Sequence, residues 1–261
     1  MATIHSTALV DSGAQLHSSV EIGAFCIVGP HVKLGEGCRL MPFAQVIGHT
    51  TLGAENVIHS HAVIGNIPQD KKYAQEQTRL EIGDRNTFRE CCTVNIGTAQ
   101  DAGVTRIGSD NWIMAYVHIA HDCSVGSHVI MANSVQLAGH VKVGDWAILG
   151  GITGVHQFVR IGAHAMTGAG TTLIQDLPPY VMATGNPAAA HGVNSEGLRR
   201  RGFSEEQIAT LRRAYKTVYK TGLTLAEALT RIAEEETSTD CAAALQPFTE
   251  FLAAPGRGIV R

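Results

Sequence analysis

Aromatic residues are scarce in this chain: Phe, Trp and Tyr make up 5% of its 261 positions. A wide globular core normally relies on large rings, so the interior here must be narrow. Six cysteines occur without any paired metal-ligand spacing. Cys91-Cys92 is a vicinal pair that reads as structural rather than redox-active. Charge of one sign is lacking too. A net charge of −3 gives no electrostatic reason to bind nucleic acid. No apolar run is long enough to span a bilayer, and the opening MATIHSTALVDSG lacks the charged-then-apolar order of a signal peptide. These absences predict a reduced, cytoplasmic protein.

Glycine is plentiful, with 28 residues, and so is periodicity. Every sixth residue from Ile4 to Ile64 is a large aliphatic: Ile4, Val10, Leu16, Ile22, Val28, Leu34, Leu40, Val46, Leu52, Ile58, Ile64. The series resumes at Ile107 and runs to Ile161. Two residues before each member stands a small or β-branched one, among them Cys26, Cys38 and Cys123. Residues two apart share a face of a strand, so both sets point inward and these cysteines fill the core. The residue after the aliphatic is often Gly, as at Gly23, Gly35, Gly108 and Gly126. It is expected to turn a corner through unusual backbone angles. Three strand-plus-corner hexads close an eighteen-residue coil, and stacked coils form a parallel β-helix.

The register would bury Asp70 and Glu76, which is too costly for unpaired carboxylates, so residues near 65–80 must leave the coil as a loop. A gap of thirteen between Val94 and Ile107 predicts a second loop near 95–106. Pro178, Pro179 and Pro187 end the hexads, dividing the chain into residues 1–187 and a small α-helical domain, 188–261. There, Ser204-x-x-Gln207 and Thr224-x-x-Glu227 are capping boxes, and a third helix covers roughly 240–253 with Pro247 inside or at its start. This domain is too small to stand alone and is expected to pack on the solenoid end or on a neighbouring subunit.

Residues eighteen apart lie one above another. His121, Gly139 and Gln157 form one column; Asp122, His140 and Phe158 form the next; His118, Gln136 and Gly154 form a third. None occupies an inward position, so His118, His121 and His140 should face out. Surface histidines would suffice as an explanation of any one of them. A metal site is a second reading: the two imidazoles of HIAHDC could share an ion with a third from another subunit, as in a γ-type carbonic anhydrase. Acyl transfer is a third, with His as general base and a backbone N–H at the oxyanion.

The segments NIPQDKKYAQEQTRLEIGDRNTFRE, VHIAHDCSVGSH, LAGHVKVGDWAILGG, GVHQFVRIGAH and GVNSEGLRRRGFS together resemble the UDP-N-acetylglucosamine O-acyltransferases of lipid A biosynthesis over essentially the whole chain. The resemblance implies a left-handed coil and a homotrimer needing no cofactor or metal. It implies transfer of a 3-hydroxyacyl group from acyl carrier protein to the glucosamine 3-hydroxyl. By motif, His121 is the implied base, Asp122 its support, and the Gly139 N–H the oxyanion donor. Gln69 and Asp70 would hold the sugar, and Lys72 the nucleotide or thioester end. His118, His140, His156 and Gln157 would line the cleft, while Asn194, Glu196, Arg200 and Arg201 would reach the uridine and diphosphate of an adjacent subunit's site.

Where many such enzymes read His-Arg-Gly-Thr, this chain has Asn95-Ile96-Gly97-Thr98, so Asn95 can hydrogen-bond substrate but carries no charge. Ala169 falls at the implied acyl-length ruler. Arg199, Arg200, Arg201, Arg212, Arg213, Lys216 and Lys220 form a basic cluster suited to an acidic carrier protein. The related N-acyltransferases carry an extra N-terminal domain, for which hexads starting at Ile4 leave no space. The alternatives remain a metal-dependent hydratase, which leaves Asn194 to Arg201 unexplained, and a non-enzymatic solenoid.

Overall fold

The computed structural model describes residues 1–235, 238–254 and 256–261. The hexads become strands, most only two residues long. Thr3–Ile4, Leu9–Val10 and Gln15–Leu16 each start one face of a three-sided prism, and later strands join the faces in rotation. The first face holds eleven strands, the second nine and the third eight. Ile4 pairs with Ile22, Val10 with Val28 and Leu16 with Leu34, the eighteen-residue coil that the spacing demands. From Val20 onward both inward sets are buried. In the first coil Ile4 stays exposed.

The small inward positions behave as expected for cysteine. Cys26, Cys38, Cys92 and Cys123 are buried free thiols. Burial pushes Cys92 and Cys123 up to about 12, so they stay protonated at neutral pH. Two interior features run against a purely aliphatic core. Phe88 is a fully buried ring, between Ile58 and Ile113. Asn56, Asn86 and Asn111 stack as a buried amide ladder. Asn86 Nδ2 donates to Asn56 Oδ1 (3.0 Å), and Asn111 Nδ2 donates to Asn86 Oδ1 (2.8 Å).

The corners differ from the expectation. Except at Gly65, the left-handed backbone falls not on the residue after the aliphatic but two residues later, on residues such as Phe43, Asp122, His140, Trp146 and Phe158. A left-handed L-residue costs about 1–2 kcal/mol. Stacking of successive corner rings, as in His128–Trp146 at 4.0 Å and His140–Phe158 at 4.3 Å, offsets part of that. The glycines serve close approach between coils instead. A Cβ on Gly108 would lie 2.7 Å from Gly126 O, whereas one on Gly154 meets nothing within 4 Å. Gly108→Ala is therefore expected to destabilise by about 1–3 kcal/mol, and Gly154→Ala to be neutral or stabilising by about 0.4–1 kcal/mol. Urea midpoints of the two variants check this; equal midpoints would count against it.

Both predicted loops are present and leave from the same edge, between the second and third faces. The first separates Val63–Asn66 from Arg79–Ile82, and the second separates Thr93–Asn95 from Val104–Ile107. Register closes behind each: Val57 pairs with Thr87, and Thr93 with His118. The edge that carries these loops is the one on which His121 stands in the next coil.

The expected division after residue 187 falls inside a hairpin. Val181–Thr184 and Ala189–Val193 pair antiparallel and extend the first face. Helices follow: α1 (Ser195–Arg200), α2 (Glu205–Lys220), α3 (Leu225–Glu234) and α4 (Thr239–Ala253), which contains Pro247. Both capping boxes form, at Ser204 and Thr224. Helix α1 was not expected from the pattern. The helices close the end of the solenoid. Tyr180 Oη donates to Ala244 O (2.9 Å), Arg160 stacks on Phe251 (4.4 Å), and fully buried Asp176 pairs with Arg160 (2.7 Å). Among the described residues no helix is long and apolar enough to cross a membrane.

Candidate active site

His121 and Asp122 occupy the corner directly below the two loops. Asp122 adopts φ 58°. That turn swings its carboxylate off the prism and back under the second loop, leaving it 1% exposed. There it accepts hydrogen bonds from Thr98 N (3.0 Å) and Thr98 Oγ1 (2.6 Å). It also lies 2.9 Å from His121 Nδ1. A carboxylate only accepts, so Nδ1 carries the proton and the Nε2 lone pair is left to take one. The outward position expected for His121 holds, but the loop leaves its side chain only 13% exposed.

Gly139 lies in the adjacent coil against this imidazole. A Cβ there would stand 2.7 Å from His121 Nε2, so only glycine leaves the ring its place. The Gly139 amide has no intramolecular acceptor among the described residues. His140 packs edge-on to His121, with ring centroids 5.0 Å apart, and lies flat on Phe158. His118 is tied to Thr93 (Nδ1···Oγ1 2.8 Å), and burial lowers its pKa, with His121 adding to the effect. Both effects favour the neutral ring.

The metal reading rested on His118 and His121. It also needs a third imidazole from another subunit; among the described residues of one chain, the cluster whose ligand atoms lie within 4.8 Å of one another is His121, Asp122 and His140. Its carboxylate is already engaged by Thr98 and His121.

The other expected site residues are spread more widely. Gln69 and Lys72 are exposed on the first loop, where Asp70 accepts from Lys72 N (2.9 Å). Asn95 is buried rather than open to the cleft, and its Nδ2 donates to Ile67 O (3.0 Å), holding the base of that loop. His156 and Gln157 are exposed lower on the His121 edge. Asn194 caps α1, accepting from Gly197 N (3.1 Å), and Glu196 pairs with Arg199 and Arg200. Arg201 stacks over Trp146 at 5.2 Å. Trp146 belongs to the edge between the third and first faces, as does His164, which burial and then Arg201 push down to about 4. Asn194 donates to His164 O, so it lies there too. Within one chain these residues stand on a different edge from His121. Ala169 is exposed at a corner between the first and second faces. It lies across the second face from His121 and three coils on, roughly 14 Å along the axis at the strand spacing. Thr98 and Asp101 were missed. They sit in a loop without period, and nothing in their spacing marks them.

The three-sided coil built of hexads, with a His–Asp pair on one edge, is a hexapeptide-repeat architecture. The bacterial transferase hexapeptide family model matches residues 31–66 and 105–139, the stretches that flank the loops. The model for UDP-N-acetylglucosamine O-acyltransferase, domain 2, matches residues 176–260. The acyl-[acyl-carrier-protein]–UDP-N-acetylglucosamine O-acyltransferase of Herminiimonas arsenicoxydans is 56% identical over the whole of both chains, and that of Thiobacillus denitrificans 58%. Among solved structures, LpxA from Acinetobacter baumannii is 46% identical, covers 99% of both chains and superposes with a TM-score of 0.96. The chain belongs to the UDP-N-acetylglucosamine O-acyltransferase family, and its fold is the left-handed parallel β-helix with a small helical domain that this family shares.

Proposed function

We propose that this enzyme transfers a 3-hydroxyacyl group from acyl carrier protein to the 3-hydroxyl of UDP-N-acetylglucosamine, the first step of lipid A biosynthesis. The observation that carries the chemistry is the His121–Asp122 pair, with Nδ1 held by the carboxylate and Nε2 beside Gly139. The sugar oxygen attacks the thioester carbonyl while His121 Nε2 takes its proton. Asp122 steadies the resulting imidazolium, and the Gly139 N–H donates to the oxyanion. Collapse breaks the C–S bond, and the proton on Nε2 passes to the departing thiolate. Gln69, Asp70 and Lys72 bind the sugar end from the first loop, and His118, His156 and Gln157 line the cleft. Asn95 acts by holding that loop.

Asn194, Glu196, Arg200 and Arg201 serve the nucleotide of a neighbouring subunit's site, which accounts for their distance from His121 within one chain. A homotrimer meets that need. The outward residues of the first face also call for a partner, changing from Thr3, Glu21 and Arg39 to Trp112, Ile130, Ile148 and Met166. The cell compartment is the cytoplasm, where the acyl carrier thioester is available. The basic cluster from Arg199 to Lys220 is the docking surface for the acidic carrier. An assay with UDP-N-acetylglucosamine and a panel of acyl carrier protein thioesters tests the reading; no acylated sugar with any thioester would refute it.

The acyl tail runs along the second face, whose floor at Gly154 is open and whose far edge carries Ile152 and Ala169. Ala169→Met is expected to shift preference toward shorter chains, since each methylene denied burial costs about 0.8 kcal/mol. Competition between two thioesters of different length measures this. An unmoved ratio would remove Ala169 as the ruler.

A further inference from the structure

The second loop is fastened to the active-site edge at two points. Thr98 grips Asp122 through its amide and hydroxyl. Three residues on, Asp101 Oδ2 stands 2.7 Å from His140 Nδ1. The second contact joins residues far apart in sequence, and neither the motif reading nor the proposed chemistry uses it. We propose that Asp101 is a positioning residue: it fixes the tautomer and ring plane of His140 and latches the loop over His121.

The argument is one of donors and acceptors. Asp101 accepts only, so the imidazole atom facing it must carry hydrogen. Neutral His140 then has Nε2 as an acceptor, able to receive a hydrogen bond from a hydroxyl or amide of the bound sugar. Phe158, stacked at 4.3 Å on one face, and His121, edge-on at 5.0 Å, restrict the ring to one plane. The ionisable groups facing His140 are Asp101 from the loop and His121 and Asp122 from the preceding coil; Phe158 adds no charge. Asp101 is half exposed while His140 is 14% exposed, so the carboxylate reaches inward from the rim to a sheltered ring.

The contact itself can be read without turnover. In protein labelled with ¹⁵N-histidine, His140 is expected in the Nδ1–H tautomer, identified by the loss of its signals in His140→Gln. Asp101→Ala should move it to the Nε2–H tautomer. Asp101→Asn, whose Oδ1 can still accept, should leave it in place. In the acyl-transfer assay Asp101→Ala should lower kcat/KM by about ten- to a hundredfold, by analogy with removing the partner that orients a metal-ligating imidazole, and Asp101→Asn should restore most of it. A His140 tautomer unchanged by Asp101→Ala overturns the proposal, whatever the activity. So does equal activity loss in the Ala and Asn variants. The consequence for rate rests on the acyl-transfer reading. If the tautomer shifts as expected while the wild-type enzyme acylates no UDP-sugar, that reading fails and the positioning contact stands.

Discussion

His121→Ala is expected to lower turnover by about 100- to 10,000-fold, the range that a positioned general base supplies. The Michaelis constant for UDP-N-acetylglucosamine should change far less, because the groups proposed to bind the sugar lie on the first loop and those for the nucleotide near Trp146. Folding should survive. The imidazole stands outside the prism, and Asp122 keeps its two hydrogen bonds from Thr98 when His121 is removed. Steady-state kinetics alongside a thermal melt separate these effects. Activity within about threefold of wild type would reject the base assignment. Asp122→Asn should follow with a smaller loss, since an amide can present either end to Nδ1 and no longer favours the charged imidazole.

Asn86→Ala should be the most damaging small substitution in the solenoid interior. Asn86 Oδ1 receives both the backbone N–H of Asn111 (3.0 Å) and its side-chain amide (2.8 Å), and Asn86 Nδ2 donates to Gly108 O (2.9 Å). Removing the amide strands these groups inside a dry prism, where each unsatisfied donor costs about 1–3 kcal/mol. An isosteric apolar residue does not rescue them, because the orphaned partners belong to Asn111 and Gly108. Chemical denaturation should therefore show a loss of several kcal/mol, larger than for Cys92→Ala at another small inward position. A loss under about 1 kcal/mol would mean that water or a backbone shift replaces the ladder.

The scaffold was legible because its period is short and each position has one direction. Ile22, Cys26 and Leu34 point inward for the same reason in every coil, so one rule places most of the core. Columns followed from the same arithmetic, which is how His121 and Gly139 could be brought together from the chain alone. The corner glycines were misread in purpose: their place was visible, but close approach to the next coil is a contact, and spacing does not distinguish it from a need for positive φ. Phe88 puts a ring inside an interior read as narrow, because local volume is set by neighbours in adjacent coils. The part of the site that stayed hidden lies in the loops. Thr98 and Asp101 act through a fold of the chain that has no repeat, and the burial of Asn95, with its amide donating to Ile67 O, could not be read from spacing.

The two loops interrupt the coil and disturb its register only where they leave it, between Ile64 and Asn66. Strand pairing resumes residue for residue on the far side of each, as Val57 with Thr87 and Thr93 with His118 demonstrate. Floor and walls of the site are thus independent inheritances. The prism fixes where an imidazole and an amide meet, while length and composition at that edge can vary at little thermodynamic cost, since loop closure grows only with the logarithm of length. Such a frame lets evolution redraw substrate recognition without solving the folding problem again, and it makes the 67–78 and 96–103 segments the natural places to graft new specificity.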